Sequence, residues 1–204
     1  MNQFSQMILQ TKNEDMLIKD ISFSGEIISE INAENIDFDH VHFHKCHFID
    51  CDFSRASFLG VTFQACDFSN CRFEDSYWRE AQIDQCKANG AVFEHATLRC
   101  VKIENTLCRY INFDQSLLDR CHFSDCDMRE CAFSNVKLQK TSFSNIDFSR
   151  SDFFRTSLKH TDLSSCIIEG ILVSDRFEEL KGLIISAEQA SYIASFLGVR
   201  VKDS

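Results

Sequence analysis

No proline occurs anywhere in these 204 residues, and glycine occurs only six times. The first absence fits a backbone laid out in hydrogen-bonded ladders, because each proline would remove a donor. The second leaves no GxGxxG, GxxxxGK or GxSxG spacing, so neither a phosphate-cradling loop nor a nucleophile elbow is available, and a non-enzymatic protein without a cofactor is expected. The first twenty residues, MNQFSQMILQTKNEDMLIKD, hold no continuous apolar stretch and no cleavage-like ending. That argues against a secretory signal or a membrane span and makes a cytoplasmic location the expectation. Basic residues are also few: 21 Lys and Arg against 31 Asp and Glu give a net charge of −10, a sign that disfavours direct binding to nucleic acid.

What is present is a five-residue period. From residue 21 to residue 175 the chain divides into units such as ISFSG, VHFHK, CDFSR, VTFQA and CDFSN without a slip of register. The third residue of each unit is apolar from Phe23 to Val173, and the first is small or β-branched, with Glu26 the one charged exception. On extended backbone, residues two apart share a face, so first and third positions both point inward. Five is odd, and a straight strand would turn the next apolar set to solvent, so residues four and five must turn a corner. If each corner is near a right angle, four units close a square coil of 20 residues. The expected fold is therefore an all-β quadrilateral parallel β-helix of about eight coils. Phe43, Phe53, Phe63, Phe73, Phe93, Phe113, Phe133 and Phe153 lie in its core. An N-terminal cap segment occupies 1–20, the repeat array 21–175, and a C-terminal helix and strand cap 176–204.

The units CDFSN, CDFSR, TSFSN, SDFFR and TDLSS match the pattern small, polar, Leu or Phe, polar, polar, and by them the chain resembles the pentapeptide-repeat proteins. The resemblance covers residues 21–175 and implies that the coil is right-handed.

Eleven cysteines look like a disulfide or metal framework until they are placed on the repeat. Nine of them occupy first positions, from Cys46 and Cys51 to Cys131 and Cys166, where they act as small buried wall residues that a reducing compartment keeps as thiols. The segment DHVHFHKCHF carries His40, His42, His44 and His47 at outward positions. His42 and His44 flank Phe43 and share a face, which makes them the candidates for a surface metal site; no metal is otherwise expected.

Charge is uneven along the chain, with 16 acidic against 8 basic residues in the first hundred. A rod of about 37 Å would need roughly 22 charges to match the phosphate density of B-DNA, so imitation of DNA has to be a local stripe. Stepping by 20 through fourth positions gives Glu34, Ser54, Glu74, Glu94 and Asp114, with Asp75 beside them. Like charges on neighbouring strands repel, so this stripe points to a partner with a basic groove.

At the C-terminal end, ISAEQASYIASFLG predicts a helix over Ala187–Leu197 with Ser186 as N-cap, Gln189 closing a capping box and Gly198 as the stop. Ala190, Ile193, Ala194 and Leu197 form one apolar stripe, expected on the last coil. Tyr192 and Phe196 form a second, which either faces another subunit or is buried with the first as one wide stripe within the chain.

This tail, with the stretch CKANGAVFEHATL, resembles the quinolone-resistance (Qnr-type) branch of the pentapeptide-repeat proteins. That resemblance implies a cytoplasmic homodimer joined at its C-terminal ends through Ala190, Tyr192, Ile193, Phe196 and Leu197. It also implies imitation of DNA, binding to DNA gyrase and topoisomerase IV, and protection of these enzymes from quinolones. The unbroken register leaves no room for the loops that several members of the branch project. A scaffold protein with an unrelated partner and a surface metal binder using the histidine cluster are the competing readings.

Overall fold

A computed structural model of the chain describes residues 3–11 and 17–202, so residues 1–2 and 12–16 of the expected N-terminal cap and 203–204 of the C-terminal segment lie outside the described residues. Strand partners are 20 residues apart throughout: Phe23 lies opposite Phe43, Phe43 opposite Phe63, and Ile83 opposite Ile103. Four units therefore make one turn of a parallel β-solenoid. Its first face is a seven-stranded sheet running from Leu17–Lys19 through Tyr77–Arg79 to Lys137–Gln139, and its second a seven-stranded sheet from Ser22–Ser24 to Ser142–Ser144. Seven strands enclose six complete turns, somewhat fewer than the eight expected from dividing the repeat length by twenty. The coils at the C-terminal end are joined by isolated bridges such as Asp147 to Ile167 and Asp152 to Leu172.

The third and fourth faces hold mostly single bridges because the chain there leaves extended geometry sooner. A turn closes each unit, as in Ala56 N–H to Phe53 O at 3.1 Å and Cys71 N–H to Phe68 O at 3.2 Å. From Gly25 to His160 the fifth residue at each corner is left-handed, for example His40 at φ 51°, Asn70 at 59°, Gln85 at 55° and Arg120 at 54°. At most corners its N–H donates to the fourth-position carbonyl of the following coil, His40 to Leu59 at 2.8 Å and Arg120 to Gln139 at 2.7 Å. Where it forms, this inter-coil bond offsets a backbone conformation that costs an L-residue roughly 1–2 kcal/mol.

All eight expected phenylalanines are buried. Rings one coil apart stack, with centroids 4.8 Å apart for Phe43 and Phe63 and 5.2 Å for Phe113 and Phe133, which is the spacing of neighbouring strands. Trp78 takes the place of phenylalanine in one column, stacking on Phe58 at 3.9 Å while its Nε1–H donates to Ser76 Oγ at 2.8 Å.

The first-position cysteines are all free and buried. All but the Cys166 thiol donate to the carbonyl of the third residue one coil below, as Cys51 does to Ile28 O and Cys66 to Phe43 O, both at 3.4 Å. Ser151 and Thr141 do the same with hydroxyls, to Met128 O at 2.7 Å and Leu118 O at 2.9 Å. Burial pushes the Cys121 thiol up to about 11, so it stays protonated and inert.

Each end of the rod is covered by a helix. Helix α1, Gln3–Thr11, inserts Phe4 into the mouth of the first coils, where its ring meets Phe23 at 5.2 Å and Phe43 at 5.6 Å. The charged exception Glu26 has its reason here, since its carboxylate accepts the Phe4 N–H at 3.1 Å at the positive end of that helix. At the other end α2, Ala187–Phe196, carries the expected N-cap Ser186 and capping box with Gln189.

Among the described residues the stack opens between two coils near its C-terminal end. No backbone hydrogen bond or bridge joins residues 137–144 to residues 157–164 on the first and second faces, although the third and fourth faces continue past them. The coil above pairs away from the gap, with Leu158 N–H to Glu179 O at 2.9 Å and His160 N–H to Gly182 O at 2.8 Å. Leu138, below the gap, is one of two third-position residues that are only half-buried, the other being the last, Val173.

Candidate protein-binding surfaces

The surface of the rod offers columns of side chains, and the 20-residue period decides which residues share one. Glu74, Glu94 and Asp114 form such a column on the fourth face, fixed by Asp75 N–H to Glu94 O at 2.9 Å and His95 N–H to Asp114 O at 3.0 Å. Asp75 sits at the adjoining corner, 3.9 Å from His95. Glu34 belongs to the same column two coils away, with Ser54 between.

Local partners hold the column together. Arg72 reaches both Glu74 and Asp52, the latter at 3.5 Å, and Arg55 lies 3.2 Å from Glu34. Glu94 accepts from the Gln115 amide at 3.4 Å, and Asp114 accepts the Ser134 N–H at 2.8 Å. Burial raises the pKa of Asp114, and the bond from Ser134 works against that rise. Repulsion along the stripe is thereby reduced, and its carboxylates are oriented by the scaffold, a feature that sequence periodicity did not reveal.

At the C-terminal surface the aromatic stripe takes the inward of its two expected placements, while part of the first stripe is turned outward. Tyr192, Ile193 and Phe196 pack on their own chain, and Ala190 and Leu197 are exposed, Leu197 by 69%. The cause is polar: the Tyr192 hydroxyl accepts the Gly170 N–H at 2.7 Å, and Gln189 Nε2 donates to Leu163 O at 2.9 Å and Cys166 O at 2.6 Å. These bonds give the edge of the last coil partners and turn the aromatic side of α2 inward, where Phe196 also stacks on Phe177 at 5.9 Å. Leu197, Val199 and Val201 are left outward.

The histidines do not converge. His42 Nδ1 is 2.8 Å from Thr62 Oγ1, His44 Nδ1 is 3.3 Å from Ser24 Oγ, His40 pairs with Asp39, and His47 lies 3.9 Å from Asp67. Each ring is held by a neighbour in its own surroundings. Among the described residues no group of three His, Cys, Asp or Glu side chains is placed to hold a metal ion, and no helix is long and apolar enough to cross a membrane.

Two family profiles match the chain: a pentapeptide repeat region over residues 56–127, and eight copies of pentapeptide repeats over residues 36–75 and 131–170. No curated protein matches. Among solved structures, the chain is similar to a trypsin-treated variant of QnrB1, a plasmid-mediated fluoroquinolone resistance protein, at 22% identity and TM-score 0.57, covering 92% of this chain and 99% of that one. Full-length QnrB1 gives 21% identity and TM-score 0.44 over 90% and 100% of the two chains. A pentapeptide-repeat protein of the Arabidopsis thaliana thylakoid lumen gives 16% identity and TM-score 0.42 over 57% and 67%. At these identities the likeness is one of fold.

Proposed function

This chain belongs to the pentapeptide-repeat proteins, and from that membership we propose that it is a non-enzymatic, DNA-imitating binder of a type II topoisomerase. On this reading it acts in the cytoplasm as a homodimer joined at the C-terminal ends, and it shields DNA gyrase or topoisomerase IV from quinolones. The observation that carries the reading is the column of Glu74, Glu94 and Asp114, with Asp75 beside it. There carboxylates repeat at the coil spacing of roughly 4.8 Å along the rod, as phosphates repeat along a DNA strand. The likeness of the tail to the Qnr-type branch and the fold shared with QnrB1, described as a fluoroquinolone resistance protein, support the choice of target. Leu197, Val199 and Val201 supply an exposed apolar edge for the dimer, while Tyr192, Ile193 and Phe196 anchor the cap that presents it.

The partnering of Glu34 and Glu74 by arginines favours a second reading, a scaffold with an unrelated partner, in which the stripe is solvated surface. Gyrase supercoiling assayed with purified protein separates the two. The topoisomerase reading predicts that sub-stoichiometric to equimolar protein restores supercoiling in the presence of a quinolone. Supercoiling unchanged by the protein, with and without the drug, leaves the scaffold.

A further inference from the structure

We propose that the gap between residues 137–144 and 157–164 is a docking site for an extended acidic peptide, which enters as an additional β-strand. The proposal is independent of the topoisomerase reading. Elsewhere on the first and second faces each coil satisfies the edge of the next, and here it does not. Phe153 N–H, at a third position, donates to Leu172 O at 2.8 Å, and Arg120 N–H, at a corner, to Gln139 O at 2.7 Å. The corresponding N–H groups of Leu138 and Lys140 have no such bond. A strand edge of this kind is the surface that peptides use when they add to a sheet.

The gap is bracketed, not frayed. At one side Val136 N–H donates to Thr156 Oγ1 at 2.8 Å, and at the other Asn145 N–H donates to Ser165 Oγ at 3.3 Å, so side chains span the two coils where their backbones part. Between them, on the first face, lies a cavity of about 570 Å³, the size of a site for a small ligand or short peptide segment. Half-buried Leu138 contributes its apolar surface.

Charge selects the occupant. Lys137, Arg155 and Lys159 line the cavity, and no carboxylate does. Among the described residues neither lysine has an ion pair within the protein, and the Arg155 guanidinium rests over the Phe154 ring at 4.9 Å. In a protein of net charge −10, three cations around an unpaired strand edge suit a segment of alternating apolar and acidic residues. Its apolar side chains would meet Leu138 and its carboxylates the rim.

The test uses the full chain and a six-residue peptide alternating valine and glutamate, followed by fluorescence anisotropy and by amide hydrogen exchange. The expected result is saturable binding that weakens at least about tenfold when lysine replaces glutamate in the peptide, and likewise in a Lys137→Glu, Lys159→Glu variant. Both lysines are exposed, so an unchanged thermal midpoint separates lost binding from lost fold. The Leu138 and Lys140 amides should exchange quickly in the free protein and slowly with peptide bound. Absence of binding, equal affinity for the lysine peptide, or slow exchange of these amides without peptide overturns the proposal. Slowing that depends on protein concentration alone overturns it too, because a second copy would then cover the edge.

Discussion

The smallest unit of this architecture is the corner residue. No valine, isoleucine or threonine occupies any fifth position from Gly25 to Asp175, whereas Asn, Asp, Gly and long unbranched side chains recur there. The left-handed backbone at all of these positions but Ser165 and Asp175 explains the exclusion, because branching at Cβ clashes most severely at positive φ. Replacing Gln85, exposed and at φ 55°, with isoleucine should therefore lower stability by roughly 1–2 kcal/mol, while Gln85→Gly should leave it near or above the native value. Urea midpoints of the two variants decide the matter, and an isoleucine variant as stable as the parent contradicts the corner account. The need for a bend was legible in the odd period; its left-handed conformation was written in the missing β-branched residues. The cysteines show the same split. Their burial followed from position, but their role as donors to carbonyls one coil below depends on how coils stack and has no trace in spacing.

At the scale of elements, the ends were read unequally. Ser186, Gln189 and Gly198 bracket α2 as local capping chemistry requires, so its limits were legible. Which side docks was not, since hydrophobicity alone ranks the stripe containing Ile193 and Leu197 equal to that of Tyr192 and Phe196. Hydrogen bonds from Gly170 and Gln189 break the tie. Glu179 joins the last coil to the cap in a similar way: this buried carboxylate accepts from Arg155 N–H at 2.8 Å, Ser174 N–H at 3.2 Å and Ser174 Oγ at 2.8 Å. Burial pushes its pKa up, but these bonds and that of its own amide outweigh burial and hold it below the usual value of 4.5. A folded-state pKa lower than the unfolded one contributes stability that is complete above about pH 4.5 and is lost as pH falls through the folded value. Unfolding midpoints of the native chain should accordingly drop more steeply below that pH than those of Glu179→Gln, and parallel pH profiles would remove this role.

On the scale of the whole molecule, one number, the 20-residue turn, places nearly every side chain. It was legible because the third positions never leave register between Phe23 and Val173, and it correctly assembled Glu74, Glu94 and Asp114 into one column. The arginine and amide partners of that column, and the parting of the coils above Leu138, lay beyond reach because the five-residue period continues unchanged through both. Coils of a solenoid interact mainly with their neighbours, so a local parting leaves the rest of the rod intact and free to present its acidic face. Competition for topoisomerase between this protein and a labelled DNA duplex tests that face most directly. The account predicts that the native rod displaces the duplex and that a Glu74→Lys, Glu94→Lys, Asp114→Lys variant of unchanged fold does so at least about tenfold less well. Equal displacement by both, or none by either, would contradict it.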